Sequence, residues 1–256
     1  MARVELKHVA RTFHSQSGPV EGLTDLSLSI GDGEFLCVVG PSGCGKTTLL
    51  NVVAGFEPPD RGEVLVGGER VTGPSPSRFV IFQEPVLFPW LNVRQNIVFG
   101  LRMAGVEQRI QDEKAELLLK MVHLTRFASA YAYELSGGMK QRVALARALA
   151  LDPDILLMDE PFAALDAQTR DMLHEEVESV WQQTGKTIIF VTHNVREAVR
   201  LGSRVILMSR GGSIVKEYPI DLPRNRYLED VEVVTIASRI RDELRREVLQ
   251  TERADG

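Results

Sequence analysis

Three features of the sequence predict an α/β fold built on a parallel sheet. Short, uniformly apolar runs at 155–158, 187–191 and 205–208 are bounded by turn residues and read as strands covered on both faces. A glycine-rich turn at 40–47 joins another such run, 35–39, to a segment of helical character at 47–54. Between 92 and 150 the pattern becomes helical, so a helical insertion interrupts the sheet.

Near the N-terminus, apolar residues alternate at Val4, Leu6 and the pair His8 and Val9, then at Leu26, Leu28 and Ile30. Polar residues fill the gaps, which is the pattern of antiparallel strands with one wet face. Further strands are expected at 64–66 and 79–82. Within the insertion, Leu117, Leu118, Met121, Val122 and Leu124 are expected to form one apolar helix face. In the tail, Ile236, Ile240, Leu244 and Val248 recur every four residues and make one stripe, for packing or for an oligomer contact. No internal repeat is visible.

The 256 residues carry 44% hydrophobic and 25% charged side chains, a globular composition with no low-complexity block. A net charge of -5 argues against a protein held on nucleic acid by a general positive field. Residues 1–30 lack the features of a signal peptide, and no stretch approaches 18 uncharged apolar residues, so a cytoplasmic location is expected. Two cysteines, Cys37 and Cys44, are too few for a disulfide framework and are expected to be reduced.

Residues 40–47, GPSGCGKT, fill the pattern G-x-x-x-x-G-K-[ST] between a strand and a helix. Gly40, Gly43 and Gly45 let the backbone curl through Pro41, Ser42 and Cys44, so that successive N–H groups and the helix N-terminus converge on phosphate oxygens. Lys46 would reach the terminal phosphates, the Thr47 hydroxyl would ligate Mg²⁺, and Thr48 would add a phosphate contact. Cys44 is either an inert thiol or a position where alkylation slows nucleotide binding. The apolar run 155–158 ends abruptly in Asp159 and Glu160. At the carboxyl end of a parallel strand they would face the phosphate loop, Asp159 as a partner of Mg²⁺ and Glu160 as the base that deprotonates an attacking water.

LSGGMKQR at 135–142, standing just before the acidic strand, resembles the signature of ATP-binding-cassette (ABC) ATPases. Ser136, Gly137 and Gly138 open a helix and so make a second anion-binding terminus. The resemblance runs from residue 4 to about 220. It implies a P-loop NTPase fold with a RecA-like parallel core, an antiparallel β subdomain and an α-helical subdomain. The cassette would span 1–224, with the helical subdomain at about 92–150 and a helical tail at 225–256. It also implies ATP and Mg²⁺ as ligands, with ATP sandwiched in a homodimer between the phosphate loop of one subunit and Ser136 to Gly138 of the other. Gln83 resembles the Q-loop residue, a further Mg²⁺ partner, and Ala164-Leu165-Asp166 resembles the D-loop. His193 resembles the switch histidine that contacts the γ-phosphate. Phe13 stacks on adenine in one reading and belongs to the core in the other. Met139 departs from the pattern, since many members carry Gln there.

In such proteins the segment after Gln83 receives a helix of a transmembrane permease. Phe88 and Trp90, in the apolar cluster VLFPWL at 86–91, are the residues expected to transmit there, with core packing as the other reading. FPWLNV, LSGGMKQR and Leu222-Pro223-Arg224 resemble importers of nitrate, sulfonate and taurine. Those pair a cassette, peripheral on the cytoplasmic face, with a permease and, indirectly, a periplasmic or extracellular solute-binding protein. An ABC ATPase acting on nucleic acid or cofactor assembly would favour paired cassettes, a coiled-coil insertion or a basic surface, none of which the sequence has. A regulatory module with weak hydrolysis is opposed by Glu160 and His193.

Overall fold

The computed structural model describes residues 3–15 and 18–254, the last five by backbone alone. Residues 1–2 and 255–256, at the ends of the two expected units, and residues 16–17 lie outside the described residues. The strands are β1 (Val4–Ser15), β2 (Gly18–Ile30), β3 (Phe35–Val39), β4 (Arg61–Val66), β5 (Glu69–Arg70), β6 (Arg78–Ile81), β7 (Ile155–Asp159), β8 (Thr187–Val191), β9 (Arg204–Met208) and β10 (Ile214–Pro219). The helices are α1 (Lys46–Ala54), α2 (Val93–Met103), α3 (Gln108–Met121), α4 (Gly137–Ala150), α5 (Ala167–Thr184), α6 (Val195–Leu201) and α7 (Val231–Ala254).

Among the described residues the strands form two sheets. One is antiparallel in the order β2-β1-β4-β5, and the other runs β10-β9-β3-β8-β7-β6. All pairings from β9 to β6 are parallel, and β10 closes one edge antiparallel to β9.

The two-residue strand period divides the core. Phe35, Cys37, Val39, Leu156, Met158, Ile188 and Phe190 face a layer that includes α2 to α6. Leu36, Val38, Ile155, Leu157, Ile189 and Val191 face α1 and the antiparallel sheet. Coverage on both faces explains why these strands read as unbroken apolar runs. Each aliphatic side chain fully buried this way contributes about 1.5–3 kcal/mol.

The structure refines three expected details. β6 ends at Ile81, and Phe82 turns outward into the following connection. Along α3 and the turn after it, Leu118, Val122 and Leu124 are buried and Met121 packs against them as expected, while Leu117 is 57% exposed and Ala115 and Leu119 complete the face that meets α2 and α4. The tail helix α7 buries Ile240 and packs Ile236 and Leu244 against the core as expected, and it adds Val233 and Ala237 beside that stripe where it meets α6.

Candidate functional site

The register of the parallel sheet assembles the site. β3, β8 and β7 are neighbours, Val38 pairs with Val191, and Val191 pairs with Asp159. The loop from Gly40, the turn at Thr192 and His193, and the pair Asp159 and Glu160 therefore leave the sheet at one level. That is the crevice beyond the carboxyl ends of the strands, where open α/β sheets bind ligands. On β6, Ile81 pairs with Met158, so the connection that carries the exposed Gln83 leaves the sheet at the same carboxyl end, two residues after the strand.

Glycine is required in the loop by contact as well as by angle. A Cβ on Gly40 would lie 2.6 Å from the Cys44 sulfur and 2.7 Å from the Met208 carbonyl oxygen. Gly45 has φ +95°, and a Cβ there would meet the Gly22 carbonyl at 1.9 Å. Gly43, at φ +75°, opens onto free space, and Ser42, Gly43 and Thr47 form the exposed rim of the cradle. α1 starts after Gly45 with no side-chain cap, so its first-turn N–H groups remain available to a ligand. Lys46 is nearly buried, and its ammonium donates to the Gly40 and Pro41 carbonyls at 3.0 and 2.9 Å. Cys44 is buried and burial pushes its thiol up, which favours the inert reading. Cys37 lies in the core.

The acidic pair divides its work. Thr47 Oγ1 donates to Asp159 Oδ2 at 2.8 Å, linking loop to strand end. Burial pushes the Asp159 carboxyl up, opposed by the Thr47 hydrogen bond and by Lys46. Glu160 sits at φ +44°, a conformation that costs a non-glycine residue about 1–3 kcal/mol and persists where the surroundings fix it. Its N–H donates to the Val191 carbonyl, and its Oε2 lies 2.7 Å from His193 Nδ1. Among the described residues no group of three or more His, Cys, Asp or Glu could cage a metal. A hydroxyl and a carboxylate side by side are hard oxygen donors of the kind that hold Mg²⁺ when phosphates complete the shell.

Phe13 is half-buried outside both core clusters, with the Arg11 guanidinium 5.1 Å from its ring centre. A Cβ on Gly22 would come 2.8 Å from the Phe13 ring and 3.1 Å from Thr48, so Gly22 lets the aromatic approach the phosphate-loop helix. The sequence reading missed Gly22, and its only signal is a glycine inside a strand.

A second group forms around the signature. Ser136 caps α4 by accepting from the Met139 N–H at 3.3 Å, and Ser136 and Gly137 are exposed. Gly138 is buried, since a Cβ there would lie 2.2 Å from Thr169 Cγ2. Asp166 caps α5, accepting from the Thr169 N–H and hydroxyl at 2.9 and 2.7 Å, bonds that hold its carboxyl below the usual range. Among the described residues no hydrogen bond joins this group to Thr47, Asp159, Glu160 or His193.

The connection after β6 is divided too. Leu87 is core, and Phe88 is half-buried, 4.2 Å from the Phe99 ring centre. Trp90 is 69% exposed and Val86 and Phe82 also face outward. Phe79, Phe82, Pro85, Val86 and Arg147 contribute to a groove of about 410 Å³.

Comparison with known proteins agrees with this geometry. The ABC transporter family model matches residues 23–163. The chain belongs to the ABC transporter family. It is 50% identical over 220 residues to the taurine import ATP-binding protein TauB of Roseobacter denitrificans, covering 85% of this chain and 82% of that protein. It is 48% identical over 221 residues to the nitrate import ATP-binding protein NrtD of Synechocystis, covering 86% and 83%. Among solved structures, a dimeric ATP-binding cassette in a post-hydrolysis state with ADP and phosphate superposes with a TM-score of 0.76 at 32% identity, covering 86% of this chain and all of that one. As an ABC ATPase, the chain binds and hydrolyses ATP. Among the described residues no helix is long and apolar enough to cross a membrane.

Proposed function

We propose that this chain is the motor of an importer for nitrate, sulfonate, taurine or a related small solute. It works as a homodimer, peripheral on the cytoplasmic face of a membrane, beneath a permease supplied by a solute-binding protein. The observation that carries the reading is the convergence, at the carboxyl ends of neighbouring parallel strands, of the uncapped α1 terminus, the Thr47 to Asp159 bond and the Glu160 to His193 pair. The names of the taurine and nitrate import relatives support the solute class and the direction.

In this reading the loop N–H groups and Lys46 bind the phosphates, with Thr48 adding a contact. Thr47, Asp159 and Gln83 would hold Mg²⁺, which neutralises charge on the phosphates. Glu160 takes a proton from the attacking water, and His193, hydrogen-bonded to it, faces the γ-phosphate. Phe13 stacks on the adenine. Ser136, Gly137 and Gly138 close the site from the second subunit, and Asp166 acts by fixing the start of α5 beside them. The permease docks at the groove lined by Val86 and Arg147 and at the exposed Trp90, with the half-buried Phe88 between Arg147 and Trp90 as the foot of that surface.

Co-expression with the permease tests the docking. Trp90→Ala should weaken capture about tenfold or more while ATP affinity and melting temperature stay at wild-type values. Phe88→Ala should also lower the melting temperature. Wild-type capture by the Trp90 variant would remove this surface from the reading.

A further inference from the structure

The turn that presents His193 is held by a buried polar chain that the proposed mechanism does not use. Thr192, immediately before His193, is buried, and its hydroxyl donates to Glu197 Oε2. The same oxygen of Thr192 accepts from the Asn194 N–H at 3.0 Å, so one hydroxyl ties down the backbone on both sides of His193. Asn194 then caps α6, accepting from the N–H groups of Arg196 and Glu197, which sets where Glu197 begins. On its other side, Glu197 Oε1 lies 2.6 Å from Nε2 of His174, a fully buried residue on α5. The His174 ring packs edge-on against Phe162, two residues after Glu160.

Nothing about stability requires this arrangement. A carboxyl and an imidazole without solvent cost desolvation energy, and an apolar pair of similar volume would pack the same space without that cost. Burial pushes the Glu197 carboxyl up to about 7, and His174 Nδ1 has no hydrogen-bond partner, with the Asp171 carboxylate 3.7 Å away. Glu160, Arg170, Thr192, His193 and Glu197 also line one small cavity of about 20 Å³, room for about one water. The chain therefore ends where the hydrolytic pair begins.

We infer that Glu197 and His174 are positioning residues for hydrolysis, holding His193 in register with Glu160 through the Thr192 hydroxyl. The inference rests on the reading of His193 as a residue of the hydrolytic site. His174 orients Glu197, Glu197 orients Thr192, and Thr192 fixes the peptide that carries the imidazole. Misplacing a reacting group by about 1 Å can cost 100-fold in rate, so a distant bond can govern turnover without touching nucleotide.

The experiment compares ATP turnover, fluorescent-nucleotide affinity and melting temperature for His193→Ala, Glu197→Ala, Glu197→Gln, Thr192→Val and Thr192→Ser. Glu197→Ala and Thr192→Val should lower kcat about 10- to 100-fold with nucleotide affinity within about 3-fold of wild type. Thr192→Ser keeps the hydroxyl and should restore turnover. Glu197→Gln keeps an acceptor for Thr192 and, with a change of His174 tautomer, a donor for His174, so it should also restore turnover. Should Glu197→Ala fail to fold, the Thr192 Val and Ser pair carries the test, since Val keeps the shape of Thr without its hydroxyl and Ser keeps the hydroxyl without the methyl. Equal kcat for Thr192→Val and Thr192→Ser, with His193→Ala impaired, overturns the inference alone. Wild-type turnover in His193→Ala overturns the reading of His193 and the inference with it. In the Glu160→Gln background, Thr192→Val should also reduce the ATP-dependent dimer seen by size exclusion, a readout independent of turnover.

Discussion

The two helix starts to which the proposed function gives phosphate chemistry are built in opposite ways. α1 has no side-chain cap, begins after a left-handed glycine, and has a nearly buried lysine folded over its own loop. α4 begins with a conventional serine cap on an exposed turn, and its nearest packed neighbours are Leu165 and Thr169 of the D-loop region. The first has its donors gathered and the carboxylates of Asp159 and Glu160 level with it at the end of a nearby strand. The second offers the Ser136 hydroxyl proton, still free because the oxygen acts only as acceptor in the cap, and the macrodipole, but has no bond to an acid or base. In the proposed function, one terminus is a site within the chain, and the other is half of a site that needs a second chain to finish it.

The largest effect separates binding from chemistry at the first terminus. Glu160→Gln should keep ATP affinity and lose about 10²- to 10⁴-fold in turnover, because the base is removed while the cradle stays. Lys46→Ala should lose both, since its ammonium is the cradle's charge. Size exclusion with Mg-ATP should then show a stabilised dimer for the Glu160 variant and none for the Lys46 variant. Equal turnover in wild type and Glu160→Gln would remove Glu160 as the base.

A smaller but more discriminating effect tests the second terminus. Defined heterodimers can carry Lys46→Ala on one subunit and Ser136→Arg on the other, or both on the same subunit. In a trans site, the split arrangement concentrates both defects in one composite site and leaves the other whole. The joined arrangement damages each site once. Nucleotide-dependent dimer should therefore survive in the split form and nearly vanish in the joined form. The opposite order would mean a site closed within each chain, and the contrast between the two helix starts would lose its meaning.

The same contrast explains what the sequence made legible. The phosphate loop is eight contiguous residues between a strand and a helix, so its spacing reveals it, and the apolar run of β7 leads directly to Asp159 and Glu160. The α-helical faces were read less well. Leu117 was expected inside and points outward, because which residues of α3 are buried depends on where α2 and α4 touch it. The tail stripe holds at Ile236, Ile240 and Leu244, and the contact with α6 widens it to Val233 and Ala237, which lie off that spacing. Glu197 and His174 were not visible at all. They are 23 residues apart on different helices, and neither sits in a local pattern that would mark it. Gly22 likewise looks like a weak strand residue until Gly45 and Phe13 are brought against it.

The smallest effect concerns how α4 is held in place. Arg142 of α4 lies 3.1 Å from Glu176 of α5, with both side chains largely buried, so the helix that carries the signature is tied to the core by this pair. Burial pushes the Glu176 carboxyl up to about 7, more than Arg142 pulls it down, and its Oε2 has no hydrogen-bond partner. A carboxyl that binds its proton more tightly folded than unfolded contributes stability fully present below the unfolded value of 4.5 and lost as pH rises through about 7. Each tenfold gain in proton affinity on folding is worth roughly 1.4 kcal/mol, so the contribution is on the order of 3 kcal/mol at most. Glu176→Gln cannot ionise, so its melting temperature relative to wild type should rise between pH 5 and pH 8, by about 2–4 °C for each kcal/mol recovered. Turnover at pH 6 should barely change, since Glu176 lies away from the phosphate loop. Parallel melting curves across that range would mean that Glu176 is ionised throughout, and that α4 is anchored by an ordinary ion pair rather than by a protonated carboxyl.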